Sequence, residues 1–171
     1  MYNLIADFER YVNEYGDALS RLCFSLCRNQ HDANDLYQDT WLKAYSAYTK
    51  TEVKSFEKWL YSICMNQFKD TYRKKIRGIQ ELQFDSNEHK DAFMASLSSE
   101  DEYEKEDYED LYSAMSKLPR KLKETVSLRY FSELSCNDIA DVLGISVSAV
   151  TTRLSRAIKM LANEMNKERR D

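Results

Sequence analysis

The sequence predicts an all-α protein made of two small helical domains joined by a flexible acidic linker. Three observations carry that expectation. Only three glycines and one proline occur in 171 residues, so helix-breaking positions are scarce. Apolar residues recur at i, i+3 and i+4 through most of the chain, the repeat of a single helical face. Between two such stretches lies a Ser-rich, strongly acidic segment in which the repeat is lost. The expected boundaries are residues 1–77 for the first domain, 78–109 for the linker and 110–171 for the second domain.

Taken in order, residues 7–29 place Phe8, Tyr11, Val12, Tyr15, Leu19, Leu22, Cys23 and Leu26 on a helical stripe, which Gly16 is expected to interrupt. The stretch HDANDLYQDTWLKAYSAY reads as the next helix. Asp32 is the expected N-cap, with Asp35 three residues on in a capping-box-like arrangement. A polar connection, TKTEVKS, leads to a long helix from Phe56 to Arg77 that Gly78 is suited to end. The second domain opens near Asp110 with a helix ending near Leu118. Pro119 then fits the first position of a helix carrying Leu122, Val126, Leu128 and Tyr130.

The formal charge of −4 conceals an asymmetry along the chain. Residues 1–57 have a net charge of −3, 58–90 of +3, 91–112 of −8 and 113–171 of +4. The acidity is therefore local, and the second domain is basic. No apolar run reaches the roughly 18 residues that span a bilayer. The start, MYNLIADFERY, lacks the basic and apolar regions of a signal peptide. Together these place the expected protein in the cytoplasm.

Cys23 and Cys27 share a helix face that His31 extends, but no four-ligand spacing closes a metal site around them. They read as small core hydrophobes, and no metal or cofactor is expected. His31 and His89 sit in polar stretches without nucleophile partners. With no catalytic constellation, the chain reads as a binding protein and not an enzyme.

The segment SCNDIADVLGISVSAVTTRLSRAIKML carries the sharpest signal. Ser135 with Asp138 is a capping signature, Gly144 supplies the positive φ of a tight turn, and Ser146 caps a second helix. At 100° per residue, Val150, Leu154, Ala157, Ile158 and Leu161 gather on one side, while Ser148, Thr152, Ser155, Arg156 and Lys159 gather on the other. Hydroxyls near the N-terminus followed by cations suit base edges first and phosphates next, as in the recognition helix of a helix-turn-helix. An amphipathic hairpin with a solvated face is the bland alternative. The glycine turn, the two caps and the non-acidic outer face weigh against it.

Two further helices carry weaker signals. In FEKWLYSICMNQFKDTYRKKIR, Phe56, Trp59, Leu60 and Ile63 read as core. A second stripe runs through Ser62, Asn66, Lys69, Arg73 and Arg77, flanked by Tyr61, Met65, Phe68 and Tyr72. Cations, an amide and aromatic rings on one helix suit melted DNA, where stacking contributes roughly 1–3 kcal/mol per base. A solvated basic surface over ordinary aromatic packing accounts for the same residues equally well. In the preceding helix, Ala33, Leu36, Tyr37, Thr40 and Ala44 form the buried stripe. The opposite face gathers Asp35, Gln38, Asp39 and Leu42, an acidic surface with one apolar anchor that fits either a basic partner helix or simple solvation.

In order and spacing these segments resemble the extracytoplasmic function (ECF, group IV) sigma factors of the bacterial sigma-70 family. DANDLYQDTWLKAY is similar to the family's region 2.2 pattern, FEKWLYSICMNQFKDTYRKK to regions 2.3 and 2.4, and LPRKLKETVSLRYFSELSCNDIADVLGISVSAVTTRLSRAIKML to region 4.2. The resemblance covers nearly the whole chain outside the linker. It implies that residues 1–77 form a region 2 helical bundle and 110–171 a region 4 helix-turn-helix.

It also implies a role for each face. Asp35, Gln38, Asp39 and Leu42 match positions that bind the β′ clamp helices of core RNA polymerase, and region 4 is implied to meet the β flap. Ser62, Asn66, Lys69, Arg73, Lys74 and Arg77 match the surface that reads and melts the −10 element, with Asn66 at a base-reading position. The loop from Tyr48 to Ser55 corresponds to the pocket for a flipped base. Ser148, Thr151, Thr152, Arg153, Ser155, Arg156 and Lys159 match the −35 reader. An anti-sigma factor, typically membrane-anchored, is implied as the regulator, and the acidic linker is implied to thread toward the RNA exit channel.

Departures from the family pattern are few. Members often open the recognition helix with G-T-V-K-S-R-L, where this chain has SAVTTRL from Ser148. Thr151 in place of the usual Lys removes one phosphate contact and implies a shifted −35 preference. Lys123 and Glu124 stand where R-E is common, a mild change. Without a large C-terminal extension, no added sensory domain is expected. An autonomous helix-turn-helix repressor and a helical adaptor that binds only proteins are the competing classes. The acidic and basic-aromatic helices, and the lack of an obvious dimer helix, disfavour the repressor; inert outer faces on both domains would favour the adaptor.

Overall fold

The computed structural model describes residues 3–27, 29–82 and 109–170. Among the described residues there are seven helices and no strand: α1 (Leu4–Leu26), α2 (Gln30–Tyr48), α3 (Phe56–Leu82), α4 (Glu109–Ser116), α5 (Arg120–Tyr130), α6 (Cys136–Leu143) and α7 (Val147–Glu168). The acidic segment read as a linker lies mostly outside the described residues.

Helices α1, α2 and α3 pack as one bundle. Its core takes Phe8, Leu19, Leu22 and Leu26 from α1, Ala33, Leu36, Trp41 and Ala44 from α2, and Phe56, Leu60, Cys64 and Met65 from α3. Helix α1 runs unbroken through Gly16, contrary to the expected interruption. Gly16 is buried, and a Cβ there would lie 3.2 Å from the Tyr37 hydroxyl. The glycine marks a close approach of α1 to α2, not a break. The N-cap of α2 is Asn29, three residues before the expected Asp32. The Asp32 backbone N–H donates to Asn29 Oδ1 at 2.8 Å, and the Asp32 carboxylate instead receives Lys75 of α3. Helix α3 also continues past Gly78 to Leu82, since that glycine does not take up the positive φ with which a glycine ends a helix.

Helices α4 to α7 form a second module in which α7 packs on α4, α5 and α6. Met115, Leu118, Val126, Leu128, Leu134, Ile139, Val150, Leu154 and Ala157 fill its interior. Both expected caps are present: Ser135 Oγ accepts from Asp138 N–H and Ser146 Oγ from Ala149 N–H, each at 3.1 Å. Gly144 closes α6 with φ 65°, the left-handed conformation that costs a side chain energy. Pro119 occupies the N-cap of α5, one position before the first helical residue expected for it. Helix α4 is held on the end of α7 by Lys117, 3.1 Å from Glu164 and 3.4 Å from Glu168, and by Ser113 donating to Glu168 at 2.9 Å.

The two modules are packed against each other, α3 on α6 and α1 on α5, so their apolar interiors are continuous.

Candidate nucleic-acid and partner interfaces

Three exposed faces and one buried seam organise the functional surface. The first face lies on α2. Burying Ala33, Leu36, Thr40, Trp41 and Ala44 turns Asp35, Gln38, Asp39 and Leu42 outward. Leu42 is 66% exposed, more than any other large hydrophobic side chain among the described residues. Tyr45, one turn on, is 48% exposed and edges onto Phe8 at 5.2 Å. His31 Nε2 lies 3.4 Å from Asp35 at the other end of the row. The result is a carboxylate surface with an apolar anchor, complementary to a basic helix with a small hydrophobic socket.

The second face lies on α3. Phe56 fixes the start of this helix by stacking on Tyr11, ring centroids 3.8 Å apart, and by meeting Tyr48 at 6.1 Å. Tyr48 and Phe56 thus pin both ends of the 49–55 loop to α1. Asn66, Arg73, Lys74 and Arg77 are exposed along α3, while Ser62 and Lys69 are half-buried. Ser62 Oγ donates to the Lys58 carbonyl at 2.8 Å, and Arg73 lies 3.8 Å from Asp70. The flanking aromatic row is less open than its spacing implied. Tyr61 and Met65 are each 1% exposed and belong to the core and the seam, leaving Phe68 and Tyr72 as the accessible rings. Burial pushes the Tyr61 phenol up to about 12, so it stays protonated.

The third face lies on α7. Ser148, Thr151, Thr152, Ser155, Arg156 and Lys159 are exposed, opposite buried Val150, Leu154 and Ala157. Arg153 is half-buried. Thr151 Oγ1 donates to the Ser148 carbonyl at 2.9 Å, which leaves the oxygen able to accept. This is a short-hydroxyl surface with cations one turn further along, as a groove-binding helix requires.

Between the second and third faces runs the seam, which periodicity did not reveal. Lys58 of α3 reaches Asp141 at 3.1 Å and Asp138 at 3.6 Å on α6. The Tyr61 hydroxyl lies beside that of Ser132, and the Arg120 guanidinium sits 5.5 Å over the Tyr72 ring. Glu124, 1% exposed, is paired with Arg120 at 2.9 Å. Burial raises its carboxyl above the ordinary value, opposed by the charges of Arg120, Lys69 and Arg153. The field of one cation from each candidate DNA-reading helix, Lys69 and Arg153, thus reaches this carboxylate, which pairs directly with Arg120. The position read as a mild departure is a buried charge at the junction of the modules. No sequence signal marked it, since an isolated Lys-Glu pair on an amphipathic helix looks solvated.

The cysteines are unpaired thiols. Cys23 and Cys64 are buried with their sulfurs 3.9 Å apart, and mutual hydrogen bonding and burial push the Cys23 thiol well up. Burial pushes Cys27 up to about 12. Protonated, desolvated thiols pack as hydrophobes, consistent with their place in the α1–α3 core. Among the described residues no group of three or more His, Cys, Asp or Glu side chains is placed to hold a metal ion, and no helix is long and apolar enough to cross a membrane.

Comparison with known proteins bears on both modules. The family model for sigma-70 region 2 matches residues 11–78, and that for sigma-70 region 4 matches residues 108–161. RNA polymerase sigma factor SigV of Bacillus subtilis (strain 168) is 31% identical over 160 residues, covering 92% of this chain and 90% of its own. ECF RNA polymerase sigma factor SigW of the same organism is 28% identical over 168 residues, covering 92% and 88%. Among solved structures, the sigma factor RpoE in complex with the anti-sigma factor NepR from Bartonella quintana aligns at a TM-score of 0.76. That alignment has 26% sequence identity and covers 94% of this chain and 97% of that one.

Proposed function

This chain belongs to the ECF group of the sigma-70 family, the RNA polymerase sigma factors that direct transcription initiation, and we propose how its surfaces divide that work. Residues 1–77 act as region 2 and 110–171 as region 4, with 78–109 as the acidic connection. The α2 face of Asp35, Gln38, Asp39 and Leu42 docks on the β′ clamp helices of core polymerase, and region 4 meets the β flap. On α3, Asn66 reads an unstacked base of the −10 element while Lys69, Arg73, Lys74 and Arg77 hold its backbone. Ser62, bonded to its own helix, contributes shape there more than a donor. On α7, Ser148, Thr151, Thr152 and Ser155 meet base edges of the −35 element, and Arg153, Arg156 and Lys159 meet phosphates.

A single observation supports this division best: the acidic face with exposed Leu42 and the basic face of α3 stand on adjacent helices of one bundle. A carboxylate face repels DNA while the neighbouring cations attract it, so one small bundle can hold a protein and a nucleic acid at once. The chain has no enzymatic chemistry of its own in this reading and works in the cytoplasm. A membrane-anchored anti-sigma factor is the regulator; the likeness to a sigma factor solved with its anti-sigma factor supports a partner of that kind.

Run-off transcription with purified core polymerase and a genomic fragment library tests the reading. Promoter-specific transcripts that appear only when the chain is added are expected. Their absence, with a control sigma factor active on the same core, would overturn it.

A further inference from the structure

Side chains that read a base in the major groove by hydrogen bonding are mostly Arg or Lys on guanine, Asn or Gln on adenine, and Asp or Glu on cytosine. The first turns of α7 hold none of these. Val147 to Thr152 reads V-S-A-V-T-T, without a charge or an amide, and α7 has no Asn or Gln before Asn163. Arg153 is half-buried, with its charge reaching Glu124. The first exposed cation of the helix is therefore Arg156, about 14 Å along the axis from Val147.

Those turns offer methyl groups and hydroxyls instead. Ser146 is committed to the cap, and Thr151 donates to the Ser148 carbonyl, which leaves its oxygen to accept. Val150 is buried, whereas Val147 is 41% exposed. A single open valine is ordinary on a protein surface. Here it stands about 40° around the helix from Thr151 and about 6 Å along the axis, at the edge of the face made by Ser148, Thr151 and Thr152. The feature of the major groove that an aliphatic side chain distinguishes is the C5-methyl of thymine. Contact between the two removes apolar surface of both from water.

We propose that Val147 is a specificity-determining residue of the −35 reader, packing its γ-methyls on the C5-methyl of a thymine. The proposal rests on the assignment of α7 to the −35 element above. Thr151, able to accept, suits the N6 amino group that adenine presents in the same pair or the next. The separation of about 6 Å between Val147 and Thr151 is less than two base-pair steps of about 3.4 Å. Dependence on the methyl group is thus confined to one position or two adjacent ones.

Binding of core polymerase carrying this chain to a promoter recovered by transcription tests this. Each thymine of the −35 element, on either strand, is replaced in turn by deoxyuridine, which lacks only the C5-methyl. Wild type is expected to bind about fourfold more weakly when the contacted thymine is replaced, as loss of one covered methyl group implies. Val147→Ala, at an exposed position, should keep the wild-type Tm and bring the thymine-to-deoxyuridine ratio there to about one. Val147→Ile should keep the ratio. A wild type indifferent to deoxyuridine throughout the element, or a ratio that survives Val147→Ala, would overturn the proposal alone. Recovered promoters with no conserved distal block would overturn the −35 reading itself, and this proposal with it.

Discussion

Phe56 lies flat on Tyr11, ring centroids 3.8 Å apart and planes 4° from parallel, and this stack joins the start of α3 to the middle of α1. Tyr15, Trp41, Tyr48 and Trp59 also surround Phe56, at 5.5 to 6.4 Å. The cluster therefore fixes the origin of the helix that carries Asn66 and Arg73, and one end of the loop before it. Phe56→Ala removes the shared partner of these rings. A loss of about 3–5 kcal/mol is expected from chemical denaturation, and Phe56→Leu should lose less.

Leu42 and Arg73 belong to different surfaces of the same bundle, so their effects should separate. Leu42→Asp is expected to weaken binding to core polymerase about 30-fold or more, as loss of an apolar anchor does, with the thermal midpoint almost unchanged. Arg73→Ala should leave polymerase binding within about twofold, weaken promoter opening about tenfold, and reduce the salt slope of DNA binding by about one. Equal effects of the two substitutions in both assays would contradict the assignment.

Much of this was legible before the structure. Ser135, Gly144 and Ser146 announce the helix-turn-helix because each does a local job, bonding a backbone N–H or adopting positive φ, that needs no distant residue. The two sides of α2 and α7 were legible for a similar reason, since one apolar stripe decides which side faces out. What failed depends on neighbours distant in sequence. Gly16 looked like a break because its role is to admit the Tyr37 hydroxyl from another helix. Tyr61 and Met65 looked available for stacking because what covers them, including the second module, comes from elsewhere in the chain. The α2 cap is Asn29 and not Asp32: its side chain accepts from Asp32 N–H and donates to the Asp32 carboxylate, which Lys75, 43 residues on, also engages.

Glu124 gives a pH signature. Burial raises its pKa above the ordinary 4.5, so the folded chain binds this proton more tightly than the unfolded chain. The resulting stabilisation is fully present below 4.5 and is lost as pH rises through the folded-state value. At neutral pH the ionised carboxylate is a cost, despite Arg120 beside it. Glu124→Gln keeps the acceptor for Arg120 and removes the charge. It is expected to raise stability at pH 7 by about 1 kcal/mol, or about 2–4 °C in Tm, and to flatten the dependence above pH 4.5. Glu124→Ala, which abandons Arg120, should destabilise. A lower Tm for Glu124→Gln would show that the ion pair outweighs burial.

Gly144 holds φ at 65° with nothing near its missing side chain, so the cost of substitution is conformational and not steric. Gly144→Ala should destabilise the second module by about 1–2 kcal/mol. Gly144→Asn should cost less, because asparagine tolerates the left-handed region. Thermal melts of the full chain read the difference.

In the proposed function, α3 and α7 read two separate promoter elements on behalf of one polymerase. The most direct measurement is sequencing of promoters selected from a randomised library by core polymerase with wild type, Asn66→Ala or Thr151→Lys. Wild type should yield two conserved blocks at a fixed spacing. Asn66→Ala should relax only the block nearer the start site, and Thr151→Lys should change only the distal one. A single conserved block, or both substitutions altering the same block, would contradict the account.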